Sequence, residues 1–162
     1  MARFFTSDTH FGDHRTLNIH RRPFASVAEM DELLIARWNE AVSADDEVWH
    51  LGDFARRAAD VPGLLARLNG AKHLLLGNND PPEIARLPGW ASVGHYAELE
   101  ADGIKLVLCH YPFRSWNGQH KGAIDLHGHS HGRLKPLPRQ HDVGVDARDF
   151  RPVTLDEIRG VA

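Results

Sequence analysis

Five apolar runs along the chain end abruptly in side chains of the kinds that bind metal ions. Imidazole nitrogens combined with carboxylate and amide oxygens, without a thiolate, favour Mn, Fe, Zn, Co or Ni over calcium. Seven candidate ligands exceed the four that a structural zinc ion needs, so two ions explain the residues better than one. The seven candidates are Asp8, His10, Asp53, Asn78, His110, His129 and His131.

Each apolar run is short enough to be a strand, and the strands decide whether these side chains meet. In open α/β sheets, ligands bind in the crevice beyond the carboxyl ends of the strands. If neighbouring strands point the same way, the five groups converge on one edge. The predicted strands cover residues 3–7, 47–51, 72–76, 92–100, 104–109, 123–126 and 142–146.

Amphipathic stretches between the first strands predict helices. Residues 26–43 begin with the capping-box pair Ser26 and Glu29, and apolar residues follow at helical spacing. Residues 60–69 form a second candidate helix, and a second capping box, at Thr154 and Glu157, predicts a short helix near the end of the chain. This order of elements predicts an α/β first half and an antiparallel second half.

Asp80 and the pair Asp102-Gly103 are expected to shape the chain locally. Asp80 is expected either to cap a short helix that begins at Pro81 and Pro82 or to orient Asn79. Asp102 and Gly103 form a two-residue hairpin signal between two of the strands.

The composition narrows the class of protein. The 162 residues are 42% hydrophobic and carry a net charge of −3, which argues against a broad nucleic-acid-binding surface. A single cysteine, Cys109, excludes an intrachain disulfide framework. No apolar run approaches the ~18 residues of a membrane span, and the first residues lack the layout of a signal peptide. We therefore expect one cytoplasmic domain over residues 1–162, with no membrane partner.

Five short motifs occur in an order that resembles the calcineurin-like metallophosphoesterases. They are Asp8-x-His10, Gly52-Asp53, Gly77-Asn78, His110 and Gly128-His129-x-His131. Each dipeptide alone carries little weight, whereas the ordered set is specific. Arg22-Pro23-Phe24 and the segment 144–153 resemble the small bacterial single-domain members. The resemblance implies an αββα sandwich, in which two mixed sheets pack together with helices outside.

The resemblance also implies a role for each candidate ligand. Asp8, His10, Asp53 and His131 would hold the first ion, and Asp53 would bridge to a second ion held also by Asn78, His110 and His129. The implied cofactors are two divalent ions (Mn, Fe, Zn, Ni or Co), with manganese expected to serve best in vitro. The implied reaction is hydrolysis of phosphate esters by metal-activated hydroxide, which two ions promote together. The expected partner is a small phosphate ester, and a nucleotide or nucleic-acid end also fits.

One position departs from the resemblance. The usual motif is Gly-Asn-His-Asp or Gly-Asn-His-Glu, whereas this chain has Asn79 in place of the histidine. An asparagine amide can hydrogen-bond a phosphoryl oxygen but cannot act as a general acid at neutral pH. The sequence therefore favours phosphodiesters or activated esters. Asn79, His110 and Asp53 are the expected catalytic residues, and Asn79, His14 and Arg22 the expected substrate contacts.

Three alternatives stay open at this point. A phosphomonoesterase could take its proton from His14, His95 or His120. A mononuclear zinc hydrolase would leave several of the seven candidate ligands unused. An interaction module could bind metal and catalyse little.

Overall fold

The computed structural model describes residues 1–161, and within them the strands form two mixed sheets. The strands are β1 (Arg3–Thr6), β2 (Glu47–His50), β3 (Ala71–Leu75), β4 (Ser92–Gly94), β5 (Tyr96–Ala101), β6 (Ile104–Cys109), β7 (Ile124–His127), β8 (Gln140–Asp142) and β9 (Val153–Thr154). The α-helices are α1 (Arg15–Ile19), α2 (Val27–Ala41), α3 (Val61–Arg67) and α4 (Leu155–Arg159). Short 3-10 helices cover Ala58–Asp60, Pro82–Arg86, Gln119–Lys121 and Val145–Ala147.

The strands that precede the candidate ligands run parallel to one another within each sheet. The first sheet has the order β4-β3-β2-β1-β9, and only β9 is antiparallel to its neighbour. The second sheet has the order β5-β6-β7-β8, with β5 and β6 antiparallel and β6, β7 and β8 parallel. The carboxyl ends of β1, β2 and β3 therefore lie at one edge, as do those of β6 and β7.

Side-chain alternation along β1 and β2 divides the apolar residues between two cores. Phe4 and Val48 face one way and pack with residues of α2 and α3, including Trp38. Phe5 and Trp49 face the other way and pack against the second sheet. Because successive strand residues point to opposite faces, the adjacent residues Phe4 and Phe5 pack into different cores.

The outer face of the second sheet is packed in part by the segment between β6 and β7. Val107 points outward from β6 and packs with Trp116 and Ala123 from the segment that follows β6. The Trp116 indole Nε1 donates to the Ala123 carbonyl at 3.0 Å. A loop that contains one 3-10 helix, Gln119–Lys121, thus covers Val107 on this face. The two-sheet α/β sandwich itself is confirmed.

The predicted antiparallel second half is wrong for two of its three strand pairs. Residues 110–123 and 128–139 return the chain to the same end of the sheet, so that β6, β7 and β8 run parallel. The predicted strand over residues 92–100 is two strands, β4 and β5, which belong to different sheets. Residues 142–146 form the end of β8 and the start of a 3-10 helix. Neither α1 nor β9 was predicted from the sequence.

The two predicted capping pairs form at the starts of α2 and α4. The Ser26 hydroxyl accepts a hydrogen bond from the Glu29 amide at 3.1 Å at the start of α2. Thr154 and Glu157 form the reciprocal capping box of α4. No helix among the described residues combines the length and apolar character needed to cross a bilayer.

The packing between the two sheets predicts how much stability is lost when a core side chain is truncated. Leu126 in β7 is fully buried in that core, and its truncation to alanine should lower the free energy of unfolding by about 2–5 kcal/mol. Leu137→Ala removes the same atoms from an exposed side chain and should change it by less than about 0.5 kcal/mol. Urea denaturation of chelator-treated protein measures both values, and equal losses would contradict this packing.

Candidate metal centre

The candidate ligands from both sheets meet beyond the carboxyl ends of the strands. Asp8 and His10 follow β1, Asp53 follows β2, and Asn78 follows β3. The second sheet contributes His110 directly after β6. His129 and His131 follow β7. The parallel strands thus produce the convergence that the sequence predicted.

One group of donor atoms surrounds Asp8. The Asp8 Oδ1 atom lies 3.8 Å from His10 Nε2 and 3.8 Å from His131 Nε2. Two ligands bound to one ion at about 2.1 Å lie about 3.0–3.4 Å apart in octahedral or tetrahedral geometry. Small side-chain adjustments would therefore place these three atoms around a single ion.

A second group surrounds Asp53 and overlaps the first. The Asp53 Oδ2 atom lies 3.6 Å from His10 Nε2 and 3.5 Å from His110 Nε2. The Asn78 Oδ1 atom lies 3.0 Å from His110 Nε2 and 3.2 Å from His129 Nδ1. The Asp53 carboxylate thus lies near imidazoles of both groups.

Unpartnered atoms show that these residues fit a cation. Asp8 Oδ1 and His10 Nε2 are buried without a hydrogen-bond partner, and buried polar atoms usually have one. Burial, together with the nearby charge of Asp53, raises the pKa of Asp8 well above its usual value. Burial lowers the pKa of His10 to about 3 and also lowers that of His110. Neutral imidazoles beside a carboxylate that lacks a counter-charge form a donor set suited to divalent ions.

The backbone is strained at five of the candidate ligands. These residues have φ angles between 49° and 69°, in the left-handed region that residues other than glycine seldom adopt. Such strain persists where the surrounding structure imposes it, and it concentrates at functional sites. The five residues are Asp8, His10, Asp53, His129 and His131.

Two glycines allow the loops to approach one another closely. A Cβ atom at Gly52, whose φ is +100°, would lie 2.6 Å from His110 Nδ1. A Cβ atom at Gly128 would overlap the Ser7 hydroxyl and lie 2.6 Å from Asp8 Oδ2. Any side chain at either position would displace a ligand or its neighbour.

Asp146 and Arg22 orient the His131 ring through its Nδ1 atom. The Asp146 carboxylate contacts His131 Nδ1 at 2.7 Å and accepts from Arg22 Nε and Nη2 at 3.0 and 2.9 Å. Burial favours the neutral acid, but hydrogen bonds from His131 and Arg22 lower the pKa of Asp146 to about 2. A carboxylate on Nδ1 leaves Nε2 of His131 available for a metal ion.

Arg22 does not lie where a substrate contact was expected. Its side chain is 0% exposed, and it also donates to the carbonyl oxygens of Asp8 and Thr9 at 2.6 and 2.9 Å. The guanidinium therefore holds the backbone of the β1 loop from beneath. The expectation of a substrate contact is corrected to a positioning role.

Asp80 ties two ligand loops together and does not cap a helix. Its carboxylate accepts hydrogen bonds from the backbone amides of Asp53, Phe54 and Gly77, each at 2.8 Å. Burial raises the pKa of Asp80 to about 6. The helical signal at Pro81 and Pro82 is real, but the Pro82–Arg86 turn has no side-chain cap.

Asn79 contacts Asp53 directly. Its backbone amide donates to Asp53 Oδ1 at 2.8 Å, and its side-chain amide donates to Asp53 Oδ2 at 2.9 Å. Asn79 also lines a cavity beside the candidate ligands. His14, the other expected substrate contact, is exposed on the loop before α1 and does not line that cavity.

Several residues near the site were missed by sequence reasoning. His20 stacks on His131 with ring centroids 3.4 Å apart, and Asp13, Arg56 and Arg57 line the same cavity as His10. The only sequence signal for Arg56 and Arg57 is that they follow closely after Asp53. His20 carries no local signal, because its contact depends on the fold.

Comparisons with known proteins place the chain among homologues. It is 31% identical to an uncharacterized protein of Methanocaldococcus jannaschii, MJ1445, over 96% of this chain and 88% of that protein. It is 32% identical to the Gene 66 protein of Mycobacterium phage D29, over 96% of this chain and 93% of that protein. No family model matches the chain.

One solved structure shares the fold over almost the whole chain. The protein of unknown function AQ665 from Aquifex aeolicus superposes with a TM-score of 0.79 at 21% identity, covering 98% of this chain and 97% of that one. The E. coli phosphoesterase YfcE (16% identity, 89% and 78% covered) and the Pseudomonas putida nuclease MPE (21% identity, 82% and 66% covered) reach TM-scores of 0.45 and 0.46. These last two overlaps are too low to support an argument.

The support of His131 by Asp146 predicts a change in metal affinity. Asp146→Asn keeps all seven candidate ligands but removes the carboxylate that orients His131, and it should weaken Mn²⁺ binding about 10–100-fold. Asp149→Asn, at an exposed carboxylate that pairs with Arg37, is the matched control. Isothermal titration calorimetry on folded, chelator-treated protein measures both, and equal affinities would rule out this role.

Proposed function

The chain belongs to the family of the archaeal protein MJ1445 and the mycobacteriophage Gene 66 proteins, and we propose that it is a metal-dependent phosphoesterase that prefers phosphodiesters. The observation that carries this proposal is the pair of overlapping donor groups around Asp8 and Asp53. Two of their buried atoms, Asp8 Oδ1 and His10 Nε2, have no partner within the described chain.

The charge of the ligand set favours an anionic substrate. Bound divalent ions would contribute activation of water and stabilisation of charge on the phosphoryl oxygens. Two divalent ions would carry a charge of +4, and the carboxylates of Asp8 and Asp53 would offset only part of it. Asn78 and the imidazoles bind as neutral groups and offset none of it. The surplus positive charge suits a phosphoryl group and would repel a cationic substrate.

Asn79 sets the preference among phosphate esters. A histidine in its place could carry a positive charge toward a dianionic monoester and could protonate the leaving group. The Asn79 amide is neutral, and it donates to Asp53 Oδ2 at 2.9 Å. A diester monoanion needs less positive charge, and an activated leaving group needs no proton.

The alternative proton donors do not line the cavity beside the candidate ligands. His14, His95 and His120 are all exposed, and none of them lines the cavity beside Asn79. Of the ionisable groups that do line it, Asp13 has its pKa lowered to about 2 by the hydrogen bonds from Arg15, which outweigh its burial. This cavity therefore offers no spare acid to replace the histidine.

A substrate pair tests the proposal. With Mn²⁺, bis-p-nitrophenyl phosphate should be hydrolysed faster than p-nitrophenyl phosphate. Both esters release the same leaving group, but the diester carries one negative charge fewer and needs less positive charge from the site. Chelation should abolish both activities. His110→Ala should abolish them as well, whereas His95→Ala, at an exposed histidine, should leave them unchanged. A clear preference for the monoester would contradict the diester proposal, and no hydrolysis of either ester would contradict the phosphoesterase.

Substitution of Asn79 tests the missing acid. Asn79→His should raise hydrolysis of alkyl phosphate monoesters, whose leaving groups need a proton, by about 10²-fold or more. The gain should be smaller for p-nitrophenyl phosphate. Asn117→His adds a histidine outside the centre and serves as the control. If Asn79→His gives no gain while metal binding is intact, the acid is not what this position lacks.

A further inference from the structure

A cavity of about 360 Å³ connects the candidate metal centre to three arginines. One part of its wall is formed by His10, Asp53 and Asn79. The rest of the wall is formed by Arg15, Arg56 and Arg57 together with Asp13 and Ala55. A molecule bound at the metal centre would therefore extend into a space lined by guanidinium groups.

Asp13 and Asp60 fix two of these guanidinium groups in place. The Asp13 carboxylate accepts from Arg15 Nε and Nη2 at 2.9 and 2.7 Å. Asp60 holds Arg57 in the same way, with both hydrogen bonds at 3.0 Å. In each pair the arginine's Nη1 atom is not used by the carboxylate. The carboxylates thus orient the two arginines without occupying all their donors.

Arg56 is the least committed of the three. Its nearest carboxylate oxygen, on Asp13, lies 3.7 Å from Nη1, beyond hydrogen-bonding distance. No side-chain hydrogen bond from Arg56 to another residue in the range 1–161 is present. The three arginine side chains are between 41% and 72% exposed, so their remaining donors are accessible to a ligand.

The guanidinium of Arg56 is the positive charge in this wall that no carboxylate pairs with closely. Arg15 is paired with Asp13 and Arg57 with Asp60, whereas Arg56 lies 3.7 Å from the nearest carboxylate oxygen. Guanidinium groups bind phosphate oxygens through pairs of parallel N–H donors, and their charge does not titrate. Such a wall suits a phosphate better than it suits a neutral substituent.

We propose that this arginine cavity binds a second phosphate group of the substrate, one nucleoside or sugar unit away from the phosphodiester that is hydrolysed. The inference rests on the proposed function and names its substrate class, namely phosphodiesters that carry a further phosphate. Nucleotide chains and their phosphorylated ends belong to this class, whereas simple dialkyl or diaryl phosphates do not.

Two nucleotide esters that differ by one phosphate test the proposal. The p-nitrophenyl ester of thymidine 5′-phosphate is the first, and the same ester with a 3′-phosphate is the second. In both, water attacks phosphorus, the P–O bond to p-nitrophenol breaks, and p-nitrophenol and the thymidine phosphate are released. The 3′-phosphate should raise kcat/KM about tenfold, mainly by lowering KM, which is the size expected for one charge-assisted contact.

Substitutions at the cavity locate the effect. Arg56→Ala should remove most of the gain from the 3′-phosphate and leave hydrolysis of the simpler ester nearly unchanged. Arg56→Lys, which keeps the charge but loses the paired donors, should retain part of the gain. Arg67→Ala is the matched control, because Arg67 pairs with Glu32 on the surface and does not line this cavity.

Binding without turnover gives an independent readout. Thymidine 3′,5′-bisphosphate should bind about tenfold more tightly than thymidine 5′-phosphate by calorimetry, and Arg56→Ala should equalise the two. The inference would be overturned if the wild-type protein bound the two thymidine phosphates equally and hydrolysed the two p-nitrophenyl esters with equal kcat/KM. That result would leave the proposed phosphoesterase activity intact. A gain that survives in Arg56→Ala and in Arg57→Ala would also overturn it. Failure to hydrolyse either ester would overturn the proposed function itself.

Discussion

Asp8 and Asp53 lie together in the interior, and the cost of keeping two carboxylates there governs the rest of the site. Burial and the neighbouring charge both disfavour the ionised form of Asp8. The chain supplies backbone donors, from His129 to Asp8 and from Asn79 to Asp53. Within residues 1–161, however, no lysine or arginine forms an ion pair with either carboxylate. Arg22 donates to the Asp8 carbonyl oxygen and forms no ion pair with its carboxylate, so the Asp8 side chain lacks a cationic partner.

The fold holds this arrangement by bringing strand ends from two sheets to one place. Inter-sheet packing of residues such as Phe5 and Leu126 fixes the distance between the β1 and β7 loops. Asp146 then links the His131 ring to Arg22, which in turn holds the backbone of the β1 loop. The strained φ angles of the ligand residues are tolerated because packing and hydrogen bonds act on them together.

The sequence predicted the candidate ligand residues better than the directions of the strands and the contacts between distant residues. Ligand residues at the ends of apolar runs could be predicted because strand ends are local features. The direction of β7 could not, because alternation of side chains reports which face is buried and not which way a strand runs. The role of Arg22 was also hidden, since its partner Asp146 lies 124 positions away along the chain. Left-handed φ angles at Asp8 and His10 have no sequence signal comparable to glycine.

Under the proposed function, the exchange of histidine for Asn79 divides the work of the site in a particular way. A histidine would combine a titratable charge with a transferable proton, whereas the Asn79 amide only orients Asp53. Recognition of substrate charge then falls to the bound ions and to the arginines, whose protonation does not change in the physiological range. Because the cavity wall holds no acid suited to a poor leaving group, the proton for that group has to come from solvent or from the substrate. Selectivity would thus arise from where the negative charges of a substrate lie, more than from the pH at which it binds.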